Sequence, residues 1–437
     1  MKAENKQNKI SGIGKIYIWI LLIIFGGIVL HTPVTVWLGT IFPNCSLLVK
    51  SWKEILMLIA GAMALFLLYK NKQFKLLREP VIVAIGIYAF LHLIMLVIFQ
   101  NGLTSTVAGL AIDLRYLLFF VLVYIALKMY PEYRNVFIKI GIAGALIVLV
   151  FAILQVFILP ADILKYLGYS KDTISPYLTV DLNSDYIRIN STLRGPNPLG
   201  AYAGIALTLI TSAILKRKIV KKKWSLILVG VLIAGGLAAL WASYSRSALI
   251  GTLVAIAVVL FVNFWRKLSL KAWLIIGAIA LVISGGFLAV SNTSFISNVV
   301  FHENPTEGNS VNSNEGHFDS LKSGVTQLIS QPLGAGVGST GSASLLGNNP
   351  EIIENQYLFT AHEVGWLGVG IFIYIFTLVL CKLWKHRKNW LVLGVFASGI
   401  GLALIGLLLP VWVDDTVAII WWGLAAIALT TVNKEYN

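Results

Sequence analysis

Charge is what this chain has least of. Only 12% of its 437 residues are Asp, Glu, Lys or Arg, while 58% are hydrophobic and the mean hydropathy is +0.83. No long polar block interrupts the apolar runs, which excludes a water-soluble protein and an apolar anchor with soluble lobes. The short alternating segments of a membrane β-barrel are missing too. Cysteine is nearly absent: Cys45 and Cys381 are expected on opposite sides of a membrane, so they cannot bridge, and each reads as a small apolar filler. No internal repeat of fixed period is evident. The basic N-terminus resembles a signal peptide, but no small-residue cleavage site closes the apolar run that follows, which predicts a retained first helix.

What is present is a succession of apolar runs of membrane-crossing length. They predict an all-α polytopic integral membrane protein, one transmembrane domain over 1–437, with about twelve helices. The expected spans are 16–38, 54–69, 80–99, 111–127, 136–159, 199–215, 224–242, 248–264, 272–290, 357–381, 390–409 and 416–432. The net charge of +15 would suggest nucleic acid in a soluble protein. Here 25 of the 34 basic residues fall in alternate short segments if the N-terminus is cytoplasmic, which is the positive-inside pattern. That distribution excludes nucleic acid as a partner and places both termini in the cytoplasm.

The same topology puts two long loops outside, at 160–198 and 291–356. Binding and catalysis concentrate on loops held by a rigid scaffold, so any chemistry is expected on the outer face. In the second loop Phe318, Leu321, Val325, Leu328 and Ile329 recur at helical spacing, which predicts a short amphipathic helix near 317–331 ending at Gln331-Pro332. It is expected to lie on the membrane interface, or to act as a lid.

Three outer constellations carry chemistry. Arg188 and Arg194 precede a turn, Gly195-Pro196-Asn197-Pro198, that enters a span. Guanidinium groups grip phosphate oxygens in pairs, whereas a lone arginine there would only snorkel to the headgroups. Ser243-Tyr244-Ser245-Arg246-Ser247 joins two spans with almost no connecting segment, leaving Arg246 at or within the membrane surface. Glu351-Ile-Ile-Glu354-Asn355-Gln-Tyr357-Leu leads into the tenth span, and Glu354 reads either as a general base or as an acid favoured by a helix N-terminus. His362 and Glu363 form a lesser pair. Gly334-Ala-Gly336-Val-Gly338-Ser reads as a flexible linker sooner than an anion-binding turn. Asp113 is expected to pair with Arg115, Asp414 and Asp415 to cap a helix, and His31 and His92 to be isolated packing residues. No set of spaced metal ligands is apparent.

An outer-loop arginine and a Pro-Asn turn, then Ser-Arg-Ser, then a large outer loop closed by Asn-x-Tyr-Leu, resembles the O-antigen ligase and polysaccharide polymerase superfamily of bacteria. The likeness is strongest over residues 186–370. It implies a multi-pass glycosyltransferase of the bacterial cytoplasmic membrane that uses no metal, nucleotide sugar or cofactor. The implied donor is a glycan on undecaprenyl diphosphate at the outer face, and the acceptor a glycan or lipid-glycan hydroxyl. Arg246 and Glu354 take the catalytic positions; Arg188, Arg194, Asn197, Ser245, Asn355 and Tyr357 the substrate-binding ones. Either Arg188 or Arg194 stands at the family's diphosphate-binding arginine. Many ligases carry His where Glu354 stands, a departure that favours a polymerase or another glycan transfer over a lipid A-core ligase. The alternatives are a transporter or flippase of lipid-linked sugars, which would need polar residues through the membrane depth, and a non-catalytic partner of an envelope complex.

Overall fold

A computed structural model describes residues 10–180, 183–216, 223–265, 313–347 and 350–431, with side chains from residue 321 onward in the fourth stretch. Among these residues nine helices are long and apolar enough to cross a membrane: α1 Gly12–Ile41, α2 Trp52–Lys70, α3 Pro80–Ile98, α4 Leu103–Met129, α5 Pro131–Phe157, α6 Pro196–Leu215, α7 Lys223–Ala242, α8 Arg246–Phe264 and α10 Gln356–Lys385. A further helix, α9, occupies Ser313–Ser330. Two shorter apolar helices, α11 Trp390–Ile405 and α12 Asp415–Thr430, complete the bundle. The span expected at 272–290 lies outside the described residues.

The chain is mostly but not wholly helical. A two-stranded antiparallel hairpin, β1 Leu178–Val180 and β2 Asn183–Arg188, stands in the first long loop, with Leu178 opposite Arg188 and Thr179 opposite Ile187. Its residues are largely β-branched, aromatic or turn-forming. The Asn183 side chain accepts from the Asp185 amide at 2.9 Å and fixes the start of β2. The all-helical expectation overlooked a hairpin this short.

Contacts gather the hairpin, the turn between α7 and α8 and the α10 start at one end of the bundle, and the ends of α6 and α10 at the other, giving a hairpin end and a lysine-rich end. At the lysine-rich end Glu79 pairs with Lys382, and the Ser212 hydroxyl donates to the Trp390 carbonyl at 2.7 Å. Large apolar side chains stay exposed around the outside, among them Leu58 (69%), Phe90 (64%) and Val97 (83%), as lipid-facing surfaces require. The exception is α12, buried from Thr416 to Thr430 and apolar all round, which makes it the core of the bundle. Trp421 and Trp422 pack edge-to-face at 5.2 Å, and Phe376 and Trp412 join them.

Small residues let two helices touch through their backbones. A Cβ on Gly251 of α8 would lie 2.7 Å from the Gly401 carbonyl oxygen of α11 and 2.8 Å from Ile405. In lipid, where burial of apolar surface drives little, such close packing holds helices together. Gly251→Leu should therefore destabilise the protein by about 1–3 kcal/mol, the usual cost of overpacking, and lower its melting temperature in detergent.

Candidate functional site

The three arginine-bearing segments meet at the hairpin end. β2 finishes at Arg188, whose Nε donates to the Ser243 carbonyl at 2.8 Å and whose Nη2 donates to the Asn197 side-chain oxygen at 2.7 Å. One guanidinium thus joins the hairpin, the Pro-Asn turn and the Ser-Arg-Ser turn. The Ile189 amide adds a bond to the Ala242 carbonyl at 3.1 Å. The chain from Ile189 to Leu193 is buried, with the Ser191 amide on the Gln155 side chain and the Ser191 hydroxyl on the Val148 carbonyl, both at 2.7 Å.

The turn between α7 and α8 is tight enough to put Tyr244 at φ +47°. It lies directly on α6, since a Cβ on Gly200 would come within 2.8 Å of both Ser243 Oγ and Ala248 Cβ. Ser245 occupies the cap position of α8, buried, with its hydroxyl 3.3 Å from that of Ser247. Arg246 is the first residue of α8, half-buried, and Arg194 is exposed beside the start of α6.

Glu354 reaches the same end. Asn355 caps α10, accepting from the Tyr357 and Leu358 amides at 2.9 and 3.0 Å, and its Nδ2 donates to the Leu407 carbonyl at 2.7 Å. The Gln356 amide bonds to the Gly406 carbonyl, the Trp412 amide to the Gln356 side chain, each at 2.9 Å, and the Tyr357 hydroxyl to the Ala403 carbonyl at 3.1 Å. The α10 start is therefore fastened to the end of α11. The start of α8 abuts the same stretch through Gly251 and Ile405. Arg246 lies five residues, about 7.5 Å of helix, nearer the hairpin end than Gly251. Asn197, Asn355 and Tyr357 thus have holding roles in the folded chain.

Beneath the arginines lies a charge network that the sequence reading missed. Asp415 pairs with Arg115, with Lys53 at 2.8 Å and with His31 at 3.0 Å. Trp52 donates to His31 Nδ1 at 2.9 Å, so the proton of this imidazole sits on the nitrogen facing Asp415. Arg115 also donates to the Val413 carbonyl at 2.6 Å. Asp113 does not pair with Arg115 as expected; it faces His92 at 3.3 Å. Neither His31 nor His92 is an isolated packing residue. Partners could have been sought from the rule that ionisable side chains inside a membrane need them.

The glycine run is not a linker. Gly334 and Gly365 both adopt positive φ, +78° and +70°. α10 breaks at Val364–Gly365, and the run packs into the break. The Ala335 amide takes the His362 carbonyl at 2.6 Å, and the Trp366 amide takes the Pro332 carbonyl at 2.9 Å. The Gly338 amide does hold a carboxyl oxygen, but it belongs to the protein's own Glu363, at 3.1 Å. His362 turns instead to Glu351, at 3.6 Å. Outside the break, α9 packs across the α10 start, with Leu328 against Ile353, Leu358 and Phe359. Leu321, Val325 and Ile329 remain exposed. Among the described residues no three His, Cys, Asp or Glu side chains form a metal-holding group.

Residues 234–373 match the family model of O-antigen ligase. The resemblance read from the sequence is shown over that segment, which holds the Ser-Arg-Ser turn, α8, the glycine run, Glu354 and the first part of α10. Over that segment the chain is similar to the O-antigen ligase family. Arg188, Arg194 and Asn197 lie before it and reach it through the contacts above. No curated protein matches the chain.

Asp414 links the arginines to the network. It caps α12, accepting from the Val417 amide at 2.9 Å. Burial pushes its carboxyl up from an ordinary 3.8 to about 6; Asp415 adds to the rise, while the Val417 amide, Arg194 and Arg115 oppose it. A raised carboxyl holds its proton more tightly in the folded chain than in the unfolded one. Its stabilising contribution is complete below the unfolded value near 3.8 and is lost as pH rises through about 6. Asn also caps helices but does not titrate. Melting curves of Asp414→Asn between about pH 4 and 7 should therefore show less loss of stability with rising pH than wild type across that window.

Proposed function

We propose that this chain is a membrane glycosyltransferase of the polymerase or ligase type. It moves a glycan from undecaprenyl diphosphate to an acceptor sugar hydroxyl at the outer face of the bacterial cytoplasmic membrane. The observation that carries this reading is the gathering of Arg188, Arg194 and Arg246 at one end of the bundle, with Glu354 on the adjoining helix start.

The hairpin end is the outer face in this reading, because the opposite end carries the clustered lysines. Arg194 and Arg246 contact the diphosphate. Arg188 has Nε and Nη2 turned to Ser243 and Asn197, so it positions the Ser-Arg-Ser turn and the Pro-Asn turn. Ser245 donates from its buried place beside Arg246. The acceptor hydroxyl attacks the anomeric carbon and Glu354 takes its proton. A new glycosidic bond forms as the bond from the anomeric carbon to the phosphate oxygen breaks. The electron pair leaves with undecaprenyl diphosphate, and the fixed guanidinium groups stabilise its growing charge. They supply the positive charge that a divalent ion would otherwise provide. A single displacement inverts the anomeric centre.

Purified protein given an undecaprenyl-diphosphate glycan tests this directly. Arg246→Ala should cut transfer at least about 100-fold with membrane insertion and melting temperature intact. Glu354→Gln should cost about 100-fold or more in transfer. Arg188→Ala should lower both transfer and melting temperature, as loss of a clamp requires. Full transfer by Arg246→Ala, or reporter fusions placing Tyr244 or Asn355 in the cytosol, would end the assignment.

A further inference from the structure

The end of the bundle opposite the arginines has a cavity of its own. It measures about 230 Å³ and lies between the start of α3 and the ends of α4, α10 and α12. Lys128, Lys382, Lys385 and His386 line it, with Glu79 and Tyr124. Val81, Phe120 and Leu429 contribute its apolar lining. Glu79 is committed to Lys382. Lys128 lies 5.2 Å from the centre of the Tyr124 ring. The cavity walls thus carry three lysines and a histidine against one carboxylate.

A positive-inside bias accounts for basic residues in the loops at this end. It does not account for their convergence, from two helices distant in sequence, on a cavity with an aromatic wall. Like charges gathered so closely repel one another unless an anion sits among them. We propose that this cavity binds a phosphate group. The volume falls below the roughly 300 Å³ at which pockets for whole small molecules begin, so it suits one group of a larger ligand. Cations beside apolar side chains, among the ends of membrane helices, suit the phosphate and glycerol of an anionic lipid, whose acyl chains would stay in the bilayer. Basic pockets between helices on the cytoplasmic side take such headgroups, and the cytoplasmic leaflet is rich in them. A soluble phosphate compound would use the same lysines, and the two sources separate by experiment.

The test uses the full-length protein in nanodiscs of phosphatidylcholine, with and without phosphatidylglycerol, and in neutral nanodiscs with inorganic phosphate added. The readout is the thermal midpoint, with lipid retention by native mass spectrometry. Phosphatidylglycerol should raise the midpoint and be retained. The double substitution Lys128→Gln/Lys385→Gln, which spares the Lys382–Glu79 pair, should weaken that retention at least about tenfold. Lys75→Gln/Lys388→Gln, at the same end but away from the cavity, should leave it unchanged. If the double variant fails to fold, Lys385→Gln alone, on an exposed side chain, should weaken retention several-fold. A shift with inorganic phosphate in neutral lipid, lost in the cavity variant, would support the site and assign it to a soluble ligand. No shift with either probe, or a shift that survives the cavity substitutions, would overturn the proposal. None of these readouts depends on glycan transfer, so the site at the hairpin end stands or falls separately.

Discussion

Asp415 is the carboxylate on which the upper half of this bundle depends. Cations and hydrogen-bond donors from α1, α2 and α4 converge on it, and it is itself the first residue of the buried central helix. Charges taken out of water are tolerated only with close, well-directed partners, and removing one partner leaves the others stranded at a cost of several kcal/mol. Arg115 illustrates the coupling. It holds Asp415 and also bonds to the Val413 carbonyl, so the loop before α12 is fixed by the same guanidinium that neutralises the helix start. The start of α10 then hangs on the stretch from Ala403 to Trp412 through Asn355, Gln356 and Tyr357. The placement of Glu354 is inherited from a network that contains no residue of the proposed chemistry.

A second constraint acts on the backbone. A helix broken within a membrane protein frees amides and carbonyls that lipid cannot satisfy, so protein must do so. The break at Val364–Gly365 is closed by Pro332 and Ala335, and the glycines around them permit the close approach. This ties the far end of the second long loop into the bundle immediately before Thr340, Ser344 and Glu351 begin their own bonded turn. The segment leading to Glu354 is thereby held at both ends. The glycine spacing was visible in the sequence, but glycine serves a linker and a wedge equally well; only the helix break across from it decides between them.

The helices themselves were legible because lipid imposes length and hydropathy on every span, residue by residue. The meeting of Arg188, Asn197 and the Ser-Arg-Ser turn was legible in outline, since all three fall at span ends on one side. What could not be read was pairing. Asp113 and Arg115 are neighbours in sequence and looked like partners. On a helix, residues two apart face different directions. Asp113 turns to His92 and Arg115 to Asp415, the latter hundreds of residues away. The holding roles of Asn355 and Tyr357 were hidden for the same reason, because their partners are carbonyls of α11 and the turn that follows it, with no side-chain signature. The β-hairpin was too short to show a period.

The two ends of the bundle are cationic for opposite reasons. At the lysine-rich end, positive charge follows the general bias of membrane insertion, and long flexible lysines keep it adaptable. At the hairpin end cations are fewer, and two of the arginines there, Arg115 and Arg188, have planar groups oriented by neighbours. Arg188 shows what that orientation requires: one of its nitrogens holds the turn that presents Arg246 and another holds the Pro-Asn turn. An arginine that organises another is a sign of geometry being held, because simple attraction to headgroups would not need it. A leaving diphosphate develops charge at one oxygen in one place, and only cations already in position stabilise it without reorganising. On the proposed reading, arginines facing a reaction and lysines facing a leaflet are two answers to the same anionic chemistry, set by whether charge is being created or merely met.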